Sequence, residues 1–134
     1  MKGLIVAVLA LALVSVAPLT ASAAKPQTYS FTLMSNEGGK SNVTGAVRLQ
    51  TAGGKTLIHV SAKGLRADAT YVLTYSTSTD CATGAVTLTN YTTKGNGDLI
   101  VTTNTTTDLS SIGSIGIRAD TESGALVACA TTNP

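Results

Sequence analysis

The first 23 residues and the rest of the chain follow two different hydrophobic rhythms. Leu4 to Val16 is one apolar run with Ser15 its single polar residue, preceded by the positive Lys2 and followed by Pro18 and the small residues Ala21-Ser22-Ala23. A basic start, an apolar middle and a small-residue end make up an export signal, here predicted over residues 1–23 as a helix removed after Ala23. The run of about 13 residues falls well short of the roughly 20 needed to cross a bilayer, so it predicts no membrane anchor once the signal is removed.

After that segment the rhythm has a period of two, the mark of half-buried strands. Tyr29, Phe31 and Leu33 share one face of a first predicted strand, and Asn36 to Lys40 makes a Gly-rich break. Val43, Gly45, Val47 and Leu49 point inward from a second strand. The turn Ala52-Gly53-Gly54-Lys55 leads to Ile58, Val60 and Ala62 of a third, giving a hairpin. Tyr71, Leu73 and Tyr75 alternate along a fourth, and the polar stretch Ser76 to Gly84 reads as a loop. A fifth strand, Ala85 to Thr92, and a sixth, Asp98 to Thr103, flank Lys94-Gly95-Asn96-Gly97, which reads as a tight hairpin turn. After a Thr-rich connection, Ile112 to Arg118 and Ala125 to Thr131 close the series around the turn Asp120 to Gly124. Eight short strands spaced about 10–14 residues apart, with no amphipathic helix among them, predict a single antiparallel sandwich or barrel over residues 24–134.

Export changes how the two cysteines are read. Cys81 and Cys129 both lie in the exported part, where an oxidising compartment favours a bridge; two free thiols or an intermolecular link are the alternatives. Such a chain is expected to be secreted, periplasmic or extracellular. Charge adds little, since removing Lys2 leaves eight basic residues against seven acids. The basic residues are scattered singly with no aromatic interleaved, which argues against nucleic acid as a partner and leaves a surface or protein partner open.

Two stretches in the middle of the chain and one at its end resemble the copper-zinc superoxide dismutase-like fold, which chordin-type domains share. They are Val43-Thr44-Gly45-Ala46-Val47-Arg48-Leu49, His59-Val60-Ser61-Ala62-Lys63-Gly64-Leu65, and Gly124-Ala125-Leu126-Val127-Ala128-Cys129. The resemblance implies an all-β, eight-stranded antiparallel Greek-key β-sandwich. It also implies a bridge between Cys129 in the terminal strand and Cys81 in the loop after the fourth. The family's metal centre needs a His-x-His pair on the fourth strand, because alternate strand residues face one side and together grip one ion. Here those positions read Leu73-Thr74-Tyr75, and the late strand, where another ligand is expected, reads Ile117-Arg118-Ala119. With one His in the chain, the expectation is a fold without metal, cofactor or catalytic residues.

The remaining motifs are weak. His59 is expected to face solvent beside Leu57 and Ser61; a Ser-His-Asp site would need Ser61 and an acid such as Asp68 beside it, and no nucleophile elbow occurs. An atypical metal site would draw on His59 with nearby carboxylates or on the Tyr75 phenol. Gly95-Asn96-Gly97-Asp98 is a single copy of a calcium-type pattern that works only when stacked. Asn42, Asn90 and Asn104 begin glycosylation sequons at about the frequency chance gives. The Thr-rich segments read as solvent faces with good β-propensity. Tyr29, Phe31, Tyr71 and Tyr75 are expected to pack inward, leaving Tyr91 as the one aromatic available for an exposed contact. An adhesive or assembly subunit is a further reading of the low charge and Thr-rich surface.

Overall fold

The computed structural model describes residues 25–33, 39–120 and 124–132, with side chains described outside 33–42. The signal segment 1–23, with its cleavage at Ala23, lies outside the described residues, as does most of the Gly-rich break at 36–40 and the centre of the turn at 120–124.

Among the described residues nine strands form two antiparallel sheets. They are β1 (Gln27–Ser30), β2 (Thr32–Leu33), β3 (Gly39–Ala52), β4 (Lys55–Leu65), β5 (Thr70–Ser76), β6 (Val86–Thr92), β7 (Leu99–Thr105), β8 (Ser114–Ala119) and β9 (Leu126–Thr131), with a single 3-10 turn at Leu109–Ser111. One sheet runs β1-β3-β4-β7 and the other β2-β9-β8-β5-β6. Between them lies one apolar core, which includes Val47, Leu49, Ile58, Val60, Tyr71, Leu73, Ile115 and Ile117, all fully buried.

β4 shows most plainly why these residues form strands. Thr56, Ile58, Val60 and Ala62 are buried on its inner side, while Lys55, Leu57, His59, Ser61 and Lys63 face outward. A period of two places every second β-branched or aliphatic side chain in the core. Gly53 and Gly54 join β3 to β4 with φ of 58° and 75°, so Ala52 pairs with Lys55 across a two-residue turn that demands left-handed backbone at both positions.

Three expectations are corrected. The predicted first strand is two: β1 pairs with β3 in one sheet and β2 with β9 in the other, and the Phe31 amide donates to the Gly45 carbonyl (3.0 Å) where the chain changes sheets. Tyr91 is not an exposed contact, because it is half-buried against the core. The turn after β6 closes as expected, with the Gly97 amide donating to the Lys94 carbonyl at 2.9 Å, but it is not a hairpin. β6 belongs to one sheet and β7 to the other, so Lys94–Gly97 carries the chain between layers. The cause is docking of this segment onto the end of β4. The Thr93 hydroxyl donates to the Arg66 carbonyl, its amide donates to the Ala69 carbonyl (2.9 Å), and Gly97 lies so close that a Cβ there would be 2.2 Å from the Leu65 carbonyl oxygen.

Candidate functional site

The segment between β5 and β6 covers the outer face of the second sheet. On β5 the core side is Tyr71, Leu73 and Tyr75, yet Val72, Thr74 and Ser76 on the opposite side are also buried. Gly113 and Gly116 allow this approach: a Cβ at Gly113 would be 2.4 Å from the Thr77 carbonyl oxygen, and one at Gly116 would be 3.3 Å from Cys81 Cβ. The segment is held from several sides. The Ser114 hydroxyl donates to the Ser78 carbonyl (2.6 Å) and accepts from the Cys81 amide (3.1 Å), and Cys81 is bridged to Cys129 on β9. Cys81 adopts a left-handed φ of 58°, a conformation that costs an L-residue about 1–2 kcal/mol and persists because these contacts hold both of its sides.

Two charged residues complete the arrangement. Asp80 accepts from the Thr83 hydroxyl (2.6 Å) and from the amides of Thr83 (2.8 Å) and Ala82 (2.9 Å), and these bonds, led by the Thr83 hydroxyl, hold its carboxyl well below the usual carboxylate range. Arg118, half-buried on β8, donates from Nη2 to the Cys81 carbonyl (2.9 Å) and from Nη1 to the Gly124 carbonyl (3.1 Å). Its guanidinium thus links the covering segment to the chain entering β9. Arg118 Nε and the Thr74 hydroxyl are buried without hydrogen-bond partners.

The positions where the resemblance would place metal ligands have other roles. Leu73 is in the core, Tyr75 is half-buried with its hydroxyl 2.9 Å from the Thr107 hydroxyl, and Arg118 is engaged with carbonyls. Among the described residues no group of His, Cys, Asp and Glu is placed to hold a metal ion. The atypical ligands do not converge, because the Tyr75 ring packs against the core from the second sheet while His59 stands on the outer side of the first.

His59 faces outward from β4, as expected of it. It sits in a shallow groove of about 260 Å³ lined by Pro26, Arg48, Gln50, Leu57 and Thr102, and its Nδ1 is 2.8 Å from the Thr102 hydroxyl. Strand register puts Arg48, His59 and Thr102 in one row across β3, β4 and β7. Neither Ser61 nor Asp68 is hydrogen-bonded to His59 among the described residues, so the sequence-derived triad is not assembled. A second groove of about 250 Å³, lined by Gln27, Tyr29, Leu109, Ser110, Ile112 and Thr132, contains no charged residue. Asn90 and Asn104 are both exposed on edge strands. Compared with known proteins, the chain matches no family model and no curated protein.

Proposed function

We propose that the chain is an exported, non-catalytic β-sandwich protein of the superoxide dismutase-like Greek-key type without the metal centre, serving as a binding, cell-surface or structural module. The observation that carries this reading is the structural use made of the would-be metal positions. Leu73 fills the core, Tyr75 bonds to Thr107, and Arg118 spends its guanidinium on the carbonyls of Cys81 and Gly124. Strand order supports the Greek-key part, since β5 pairs with β6 while β7 returns to pair with β4. The position of the bridge supports the resemblance, because it links the loop after β5 to the last strand. A buried disulfide is compatible with export, and the signal pattern over residues 1–23 motivates it.

Copper loading followed by a dismutation assay tests the non-catalytic claim. The expected result is neither stoichiometric tight metal nor turnover, and finding both overturns it. Intact mass of the protein recovered from its native host tests export, with cleavage after Ala23 expected. An assembly subunit is the second reading, favoured by the edge strands β6 and β7, neither of which carries a charged residue to discourage pairing with another chain. Light scattering separates the two: a monomer at high concentration excludes self-assembly.

A further inference from the structure

Basic residues that look scattered in the sequence come together on the outer face of the first sheet. Lys55, His59 and Lys63 follow one another at every fourth residue of β4, all on its outward side, and Arg48 of β3 is the direct cross-strand partner of His59. With a rise of about 3.4 Å per residue, Lys55 and Lys63 lie roughly 27 Å apart along the strand with His59 midway between them. Every other described residue of these strands on this face is hydroxylic, amidic or apolar, so the strands themselves carry only positive charge; Asp98, one residue before β7 and next in register to Lys63, has its carboxylate bonded by the Asn96 amide at 2.9 Å. The groove lies at its centre. Among the described residues Arg48 has no carboxylate partner, and the imidazole beside it is oriented by Thr102.

We propose that this face binds an acidic glycan, a short run of uronate sugars with one carboxylate seated between Arg48 and His59. A guanidinium grips a carboxylate through two parallel N–H donors, and the neighbouring imidazole supplies a further polar contact. Leu57 and Pro26 offer apolar area to the carbon side of a sugar ring, and Gln50 and Thr102 offer partners for its hydroxyls. Lys55 and Lys63 extend the attraction to carboxylates farther along the chain. A nucleic acid fits less well: the face carries no tyrosine or phenylalanine on which bases would stack, and its few cations release few counterions. The proposal concerns the sheet opposite the Arg118 cluster and stands whether or not the chain binds copper.

The test is a chemical-shift titration of the disulfide-intact protein with tetragalacturonate, its neutral methyl ester and an oligothymidylate. Tetragalacturonate is expected to shift the amides around residues 48, 59 and 102 saturably, with a dissociation constant on the order of 1 mM or below at low salt, weakening several-fold as salt is raised. Arg48→Gln is expected to weaken binding about tenfold while retaining the dispersed spectrum of a folded chain, whereas Lys94→Gln, on the β6–β7 connection, leaves it unchanged. Equal binding of the neutral ester, tighter binding of oligothymidylate, undiminished binding by Arg48→Gln, or no saturable shift overturns the proposal.

Discussion

Removing the Cys81–Cys129 bridge is the most informative perturbation of stability. The two residues are 48 positions apart, so the link closes a large loop in the unfolded chain and lowers its entropy. The chain-entropy argument assigns a loop of this size about 4 kcal/mol at 25 °C. Cys81 and Cys129 are 1% and 6% exposed, so replacing both by Ala also vacates packed volume beneath the covering segment, adding on the order of 1 kcal/mol. Against a total of about 5–15 kcal/mol for a small domain, the variant sits close to the threshold of unfolding. Three samples separate the contributions: oxidised protein, reduced protein and the double Ala variant, each unfolded in urea and followed by circular dichroism. Reduction alone is expected to cost about 4 kcal/mol, to lower Tm by roughly 15–25 °C, and to raise the urea dependence because the unlinked chain expands further. A loss below about 1 kcal/mol with unchanged urea dependence would refute the reasoning, since the unlinked unfolded chain would then already be as compact as the linked one.

Gly97→Ala is expected to cost more than about 2 kcal/mol, because φ is 78° and the new Cβ would sit 2.2 Å from the Leu65 carbonyl oxygen; a urea-unfolding loss below about 0.5 kcal/mol would refute the docking of this turn. Burial pushes the Tyr71 phenol up, partly offset by the amide of Arg66 that donates to its oxygen at 3.0 Å. The unfolded chain therefore loses this proton first, and stability is full below about pH 10 and falls as pH rises toward the folded value; urea midpoints across pH 8–11 should decline less steeply in Tyr71→Phe. The Asp80 carboxyl is held low, so its contribution is present above about pH 4 and is lost as pH falls; Asp80→Asn should flatten that acid limb in a thermal-melt series, and an unchanged limb counts against the cap on Thr83. Thr74→Val removes a buried hydroxyl without a partner and is expected to be neutral or stabilising by up to about 1 kcal/mol, whereas a loss above that in urea unfolding would reveal a partner such as a buried water.

Local patterns in the sequence resolve those features that depend on near neighbours. The alternation through β4, the Gly53-Gly54 turn and the inward Tyr71 and Leu73 follow from residue types within a few positions of one another. Which sheet a strand joins does not. Lys94-Gly95-Asn96-Gly97 would serve equally for a hairpin or for a step between layers, and the decision rests on Thr93 and Gly97 meeting β4 and the loop after it, about 30 residues earlier. Phe31 ends β1 for a similar reason, because its amide is taken by Gly45 of a different strand. The candidate sites show the same limit. Cys81 and Arg118 each stand out as single residues, but the bond between the guanidinium and the Cys81 carbonyl joins positions 37 apart. Arg48 and His59 are 11 residues apart and form a pair only through the register set by the two-residue turn.

The two outer faces are treated differently, and this bears on where a partner can bind. On the second sheet, β5 and β8 are buried on both sides because residues 77–84 lie across them, fixed by the bridge, by Ser114 and by Arg118. A ligand directed there would have to displace a segment held by one covalent link and several hydrogen bonds, at a cost of several kcal/mol before any contact is made. Among the described residues no segment lies across the central strands of the first sheet, and its outward residues Arg48, Leu57, His59 and Thr102 already line a groove. Binding there orders only a few side chains, one of which, His59, is already oriented by Thr102. A weakly binding ligand is therefore accommodated at far lower cost on the open sheet, while the covered sheet contributes stability.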